Sequence, residues 1–245
     1  MSAPIAIVTG AAGGIGAATV TRLMADGFQV CAVDRTQGEA PAHENRLDLI
    51  EDLVDPSAAA RIAQATFDRF GRIDVLVNNA GVGGARAVHD TDDAGWSRII
   101  EINLTGTFRM SRAVLPDMLS RGSGSIIHVA SMFGLIGWRN NSAYAASKAG
   151  IDGLTRQMTA DYAAKGIRVN AVAPGLILTA MTEQLLTDQV YRELILQGTP
   201  IGRPGEVGDV ANLIAFLASD QATFICGQTI AIDGGWTAAR VRNTP

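Results

Sequence analysis

Three observations predict an α/β protein built on a doubly wound parallel sheet of about seven strands, with helices on both faces. Short apolar runs alternate with longer helical segments about six times along the chain, and alternation of that kind folds into parallel βαβ units. The apolar runs are nearly continuous, as strands covered on both faces require. A glycine-rich turn stands directly after the first of them.

The first strand is IAIV, Ile5 to Val8. A helix from about Ile15 to Asp26 follows and is closed by Gly27. FQVCAVD is the second strand and RLDLI a short third. Ser57 to Phe70 reads as a helix, and IDVLVNNAG as a strand that runs into a turn. A helix from Trp96 to Leu119, with Pro116 near its end, leads to the strand SIIHVAS. Ser142 to Lys165 is the next helix, closed by Gly166, and IRVNAVAPG the next strand. Val207 to Leu217 is helical and QTIAID is the last strand. The least regular stretch, about Leu176 to Pro204, carries the amphipathic pieces MTEQLL and VYRELI. By position it reads as a small lid over a cleft. No linker, charge block or internal repeat interrupts the pattern, so residues 1–245 read as a single domain.

Composition excludes several classes. Hydrophobic residues make up 47% of the 245 and charged residues 18%, which suits a buried core and not a disordered chain. A net charge of -4 gives no footprint for nucleic acid. Without a basic region before the first apolar run, and without 18 consecutive apolar residues, neither a signal peptide nor a membrane span is expected. Cys31 and Cys226 are read as reduced, buried thiols of a cytoplasmic protein. His43, His89 and His128 show no paired ligand spacing, so no metal is expected.

TGAAGGIG, Thr9 to Gly16, sits where a strand passes into a helix. Glycines let the backbone approach a pyrophosphate, and the helix start offers free N–H groups and a positive dipole end. That context points to a Rossmann-type dinucleotide site. Asp34 ends the second strand, 18 residues after Gly16. A carboxylate there can bond the ribose hydroxyls of NAD and repels the extra phosphate of NADP. NAD is therefore expected over NADP, although Arg35 is a cation next door that suits the phosphate.

AYAASKAG, Ala143 to Gly150, puts Tyr144 and Lys148 one helical turn apart. Ile151, Leu154, Met158 and Tyr162 form the apolar stripe of that helix. Tyr144 falls within roughly 20° of Ile151 and Lys148 within roughly 60°, so the pair extends the buried face.

With Thr9-Gly10-x-x-x-Gly14-x-Gly16 and Tyr144-x-x-x-Lys148 both placed, the chain resembles the short-chain dehydrogenase/reductase family, in its compact single-domain branch, over nearly its whole length. NNAG (Asn78 to Gly81), Asp48 in RLDLI, Asn103 in INLTG, Ser131 thirteen residues before Tyr144, Pro174-Gly175 followed by Thr179, and IDGG (Ile232 to Gly235) all match family positions. The resemblance implies catalytic roles for Asn103, Ser131, Tyr144 and Lys148. It implies cofactor contacts from Gly10, Gly14, Ile15 and Gly16, from Asp34, Arg35, Asp48 and Leu49, and from Asn79, Ala80 and Gly81. Tyr144, Lys148, Pro174, Gly175, Ile177 and Thr179 complete that set. Homotetramers built through the two long helices and the last strand are also implied.

The chemistry implied is hydride transfer between a nicotinamide and a ketone or secondary alcohol. A proton must also reach or leave the oxygen. Tyrosine is a poor acid near neutral pH, and a cation held within ~4–6 Å favours its phenolate. Lys148 is placed to supply that cation, Ser131 to bond the substrate oxygen, and Asn103, by resemblance, to link Lys148 to a proton-supplying water chain. Val82, Met132, Phe133, Leu135, Trp138, Leu176, Ile177 and Met181 fall near this site and suggest a neutral or partly hydrophobic small molecule. Arg139, Asn140 and Asn141 are candidates for a polar group on it, whereas His128 reads as a hydrogen-bonded strand residue. Two other readings stay open: a 3-oxoacyl-thioester reductase using NADPH, and a non-catalytic NAD-binding sensor. An epimerase of the longer branch is disfavoured because 245 residues leave little room for its substrate domain.

Overall fold

The structure, a computed structural model, describes residues 3–239 apart from 40, 42, 85, 184–186 and 188. Its centre is one sheet of seven parallel strands in the order β3-β2-β1-β4-β5-β6-β7. The strands are β1 (Ile5–Thr9), β2 (Gln29–Asp34), β3 (Arg46–Ile50), β4 (Val75–Asn78), β5 (Gly124–Val129), β6 (Ile167–Pro174) and β7 (Thr229–Ile232). The order reverses between β1 and β4, which pair in parallel from Ala6↔Val75 to Val8↔Val77. In open sheets of this type, ligands bind at such a switch point, beyond the carboxyl ends of the strands.

The helices are α1 (Gly14–Ala25), α2 (Ala58–Phe70), α3 (Asp93–Ile100), α4 (Gly106–Arg121), α5 (Met132–Leu135), α6 (Ser142–Tyr162), α7 (Ala180–Glu183), α8 (Gln189–Gly198) and α9 (Val207–Ala218). Strand alternation divides the core between the two faces. Ala6, Val8, Val30, Val77 and Ile127 meet Val20 and Leu23 of α1 and Val210 and Ile214 of α9. Ile7, Val33, Leu76 and Ile126 meet Ile62 of α2, Met110 and Val114 of α4 and Met158 of α6. All five residues of β1 are buried, which explains its unbroken apolar run.

Local chemistry sets the boundaries. Gly27, Gly71, Gly122 and Gly166 close helical segments with positive φ, a conformation that costs other residues. Asp92 caps α3 by accepting from Gly95 N at 2.7 Å, and Glu206 and Asp209 form a reciprocal capping box on α9.

The expected helix over Trp96 to Leu119 is instead α3 and α4 joined by a π-helical turn, Glu101–Thr105. The extra residue in that turn has no signature in a 3.6-residue pattern. Within the expected lid, the structure shows α7 and α8. Residues 184–186 of MTEQLL, the side chains of Met181, Val190, Tyr191 and Leu194, and residues 240–245 lie outside the described residues. Cys31 is buried, and burial pushes its thiol up to about 12. Cys226, expected to be buried, is half-exposed, and both are free thiols. Among the described residues, no helix is long and apolar enough to cross a membrane, and no cluster of His, Cys, Asp or Glu could hold a metal.

Candidate active site

The glycine turn closes on itself. A Cβ on Gly16 would lie 1.9 Å from the carbonyl oxygen of Gly10, so only glycine lets α1 start against the end of β1. The N-cap Gly13 brings no side chain to the first turn of α1, leaving free N–H groups and the positive dipole end for an anion. Thr179, at the entrance to α7, packs beside Gly14: a Cβ added there would sit 3.3 Å from Thr179 Cγ2. The segment expected to form the lid therefore lies near the glycine turn at Thr179.

Thr9 and Asn79 stitch the switch point together. Asn79 Nδ2 donates to the carbonyls of Thr9 at 2.9 Å and Gly10 at 3.0 Å. The N–H groups of Asn79 and Ala80 both donate to Thr9 Oγ1 at 3.1 Å. The NNAG turn is thus anchored beside the glycine turn.

Asp34 faces this loop. Its Oδ2 accepts from Ala12 N at 2.9 Å, and its Oδ1 from Thr36 N at 3.3 Å. The pocket at this strand end is lined by Ala11, Ala12, Asp34, Arg46, Asp48 and Leu49, among others. Arg35, the residue after β2, is exposed and is not part of that lining. The cation present is Arg46, which sequence reading missed. Its Nε reaches Asp48 Oδ1 at 2.9 Å and Oδ2 at 3.0 Å, and its Nη2 reaches Oδ1 at 2.7 Å. The clue was the i,i+2 spacing on one strand face. The cradle at Gly16, the open start of α1 and the Asp34 carboxylate together fit the pyrophosphate and ribose of a dinucleotide.

The catalytic candidates converge from three elements. Lys148, on α6, is 4% exposed and donates from Nζ to the carbonyl of Val129, at the end of β5, at 2.7 Å. Its Nζ lies 5.7 Å from the Tyr144 ring centroid. Burial pushes the Lys148 amine down from 10.5 to about 8. Ser131 is buried at the N-cap of α5 and accepts from Phe133 N at 3.2 Å. A Cβ on Gly134 would come 2.8 Å from the Lys148 carbonyl carbon, so the Ser131 loop lies tightly on α6.

Asn103 is the middle residue of the π turn and is fully buried. Its Oδ1 accepts from Val82 N at 2.8 Å, and its Nδ2 donates to Val82 O at 3.0 Å and Ser147 Oγ at 3.1 Å. Ser147 Oγ in turn donates to the Tyr144 carbonyl at 2.7 Å. The amide thus ties the NNAG loop to the turn of α6 that carries Tyr144. It also ends near the amine, since a Cβ on Gly81 would lie 3.3 Å from Asn103 Oδ1 and 3.5 Å from Lys148 Nζ.

The chain matches, over residues 10–237, the family described as enoyl-(acyl carrier protein) reductase. It is 42% identical over 242 residues to the cis-4-hydroxycyclohexanecarboxylate dehydrogenase of Sinomonas cyclohexanicum, covering 96% of each chain. The chain belongs to the short-chain dehydrogenase/reductase family. It is also 39% identical over 236 residues to the 3-oxoacyl-(acyl-carrier-protein) reductase FabG of Escherichia coli K12, covering 94% of this chain and 96% of that one. A Beutenbergia cavernae protein solved with bound NADP superposes with a TM-score of 0.91 at 36% identity, over 98% of both chains.

This short-chain dehydrogenase/reductase is an NAD(P)-binding oxidoreductase acting on CH–OH groups. Tyr144, Lys148, Ser131 and Asn103 lie around the carboxyl ends of β4 and β5, with the glycine turn, Asn79 and Thr179 beside them. The side chain of Ile177 packs into the core with residues of α1 and α9. His128 is buried, with Nδ1 3.1 Å from Asn78 Nδ2. Burial, with Lys148 nearby, pushes it down to about 3, so it is neutral. Arg139 and Asn140 are exposed and Asn141 is half-buried. Met132, Phe133, Trp138 and Leu176 form one cluster, and it includes a residue missed in the sequence, Trp236.

Proposed function

We propose that the chain interconverts a small secondary alcohol and its ketone with NAD in preference to NADP, Tyr144 acting as general acid and base. The reading is carried by the Tyr144–Lys148 pair, with its buried amine, placed beside Ser131 at the sheet edge that holds the glycine turn. A nicotinamide bound there supplies or accepts the hydride. In reduction the Tyr144 hydroxyl gives its proton to the carbonyl oxygen while Ser131 Oγ donates a hydrogen bond to it. The Lys148 cation stabilises the phenolate left behind. Asn103 orients Tyr144 through Ser147 and, with Lys148, begins the route by which the proton is replaced.

Asp34 supports NAD, because a second anion at the adenosine ribose would meet its carboxylate. Asp48 occupies Arg46, a lining cation that would otherwise offset this. Segment 176–204 acts as the substrate lid. The resemblance to a dehydrogenase of a hydroxycyclohexane acid favours a small carbon skeleton as substrate. The FabG likeness keeps a 3-oxoacyl thioester as the second reading. Exposed Phe108 on α4 and the exposed small residues Ala146 and Ala149 on α6 support a homotetramer through these helices. Free thiols at Cys31 and Cys226 support a cytoplasmic location.

Nicotinamide absorbance, followed with NAD(H) and NADP(H) over ketones, secondary alcohols and a 3-oxoacyl thioester, tests the reading. Turnover of ketones with NADH is the expected result. Tight NAD binding with no turnover of anything would instead identify a sensor. Asp34→Ala weakens NAD binding and narrows the preference over NADP, and an unchanged preference removes Asp34 from the ribose. Light scattering should return four times the 25.6 kDa chain mass, and cell fractionation reports the compartment.

A further inference from the structure

Next to the catalytic hydroxyl of Ser131 the structure assembles three aromatic rings from two distant parts of the chain. Phe133 follows Ser131 by two residues, and its N–H is the donor to Ser131 Oγ. Its ring stacks on Trp138, with centroids 5.6 Å apart and planes 20° apart. Trp236 comes in edge-on from the C-terminal segment. It stands 5.4 Å and 70° from Trp138, and 6.4 Å and 90° from Phe133. Beneath them lie buried Met132, Leu176 and Ile195, from the ends of β5 and β6 and from α8. The rings themselves are only half-buried. A partly open aromatic cluster thus stands next to the loop that carries Ser131 and against α8.

We propose that Phe133, Trp138 and Trp236 form the wall of the substrate site and select a ring-bearing ketone or secondary alcohol over an open-chain one. The proposal rests on the reading of Ser131 and Tyr144 as the groups that meet the reacting oxygen. Rings set near right angles make a corner, and a rigid alicyclic or aromatic ring fills a corner with face and edge contacts at once. A ring also has few rotors to freeze, whereas an open chain of equal carbon number loses conformational freedom on binding. The three residues of the wall, and the three buried beneath them, carry no charge, so the part of the substrate they contact is neutral.

Trp236 is held tightly against α8. Its Nε1 is buried with no hydrogen-bond partner among the described residues, and buried donors left unpaired call for a specific explanation. A Cβ on Gly198 would come 2.7 Å from that nitrogen, so the close of α8 is shaped around the indole. The third ring thereby couples the C-terminal segment to the lid helix.

The test compares kcat/KM for cyclohexanone and 2-hexanone, which have equal carbon number, in the wild type, Trp138→Leu and Trp138→Phe. The wild type should prefer the ring about tenfold or more. Trp138→Leu should lose about tenfold more on the ring than on the open chain, and Trp138→Phe should recover most of that difference. Unchanged NADH affinity shows that the variants fold. No ring preference in the wild type, or equal losses on both ketones in Trp138→Leu, overturns the proposal. A second measurement separates it from the reading it rests on: calorimetric binding of cyclohexanol and 2-hexanol to Tyr144→Phe loaded with NAD. Selective ring binding by a chain that turns over neither ketone keeps the wall and removes the oxidoreductase roles of Ser131 and Tyr144. Turnover of both ketones alike keeps those roles and removes the wall.

Discussion

The two faces of the sheet are built from the same apolar alphabet but treat buried polarity differently. On the face covered by α1 and α9, the buried polar side chains are spent on main-chain partners. Ser125 Oγ donates to Leu217 O at 3.1 Å, Thr19 Oγ1 to Ile15 O at 2.7 Å, and Asn170 Nδ2 to Ile225 O at 2.8 Å. On the face covered by α4 and α6 lie a buried amine, a neutral imidazole and an amide at the centre of a π turn. Two buried atoms there, Asn78 Oδ1 and His128 Nε2, have no hydrogen-bond partner among the described residues. Buried polar groups left partly unsatisfied lower stability. One face therefore holds the fold together, and the other carries the chemistry at some cost to it.

Substitutions on the two faces should separate these roles. The largest effect is expected from Tyr144→Phe, which should lower kcat about a thousandfold while NADH affinity stays nearly unchanged. Steady-state rates and cofactor titration check it, and a fully active variant would remove Tyr144 from the chemistry. Next is Ile214→Ala, at a fully buried position of α9. It should cost about 2–5 kcal/mol in a denaturant titration yet leave kcat/KM at 25 °C nearly intact, because Tyr144, Lys148, Ser131 and Asn103 lie away from α9. A matching loss of activity in the still-folded variant would show that the faces are coupled.

Two smaller effects sharpen the contrast. Lys148 holds its cation below about pH 8 and loses it as pH rises through that value. Ketone reduction should therefore reach about half its lower-pH kcat/KM near that point, and a profile flat well beyond it would deny the amine its role. The stability sign is opposite. The folded amine has a lower pKa than the unfolded one, so burying it costs most below about 8, and this penalty fades as pH rises towards 10.5. The smallest effect belongs to His128→Asn. The neutral ring has one hydrogen-bond partner, Asn78, which an amide can keep, so stability should change by no more than about 1 kcal/mol. Thermal unfolding reads this out, and a large drop would show the imidazole to be structural in a way its contacts do not reveal.

How much could be read beforehand varied with distance along the chain. The glycine turn and Asp34 belong to one βαβ unit, so spacing sufficed to pair them. Tyr144 and Lys148 share one turn of one helix, and the burial of Lys148 and half-burial of Tyr144 followed from its apolar stripe. Ser131 and Asn103 were found through family resemblance, since a lone Ser or Asn has no periodic signature. Arg35 was named because it is next to Asp34 in sequence, whereas Arg46 was not considered: its place near Asp34 depends on β3 pairing with β2, which sets Ala32 opposite Asp48. The four-residue helix α5 was missed because it is too short to show a period.

The sequence by itself determined the sheet, the order of its elements, the dinucleotide turn and the tyrosine–lysine pair. Each of these is written in contacts a few residues long or in a repeated period. Tertiary structure alone decided that Asp48 holds Arg46, that Asn103 reaches Tyr144 through Ser147, and that Trp236 meets Phe133 and Trp138. Those contacts join residues whose separation in the chain has no period and whose side chains meet only when strands β2 and β3, or β5, β6 and the C-terminal segment, are packed together.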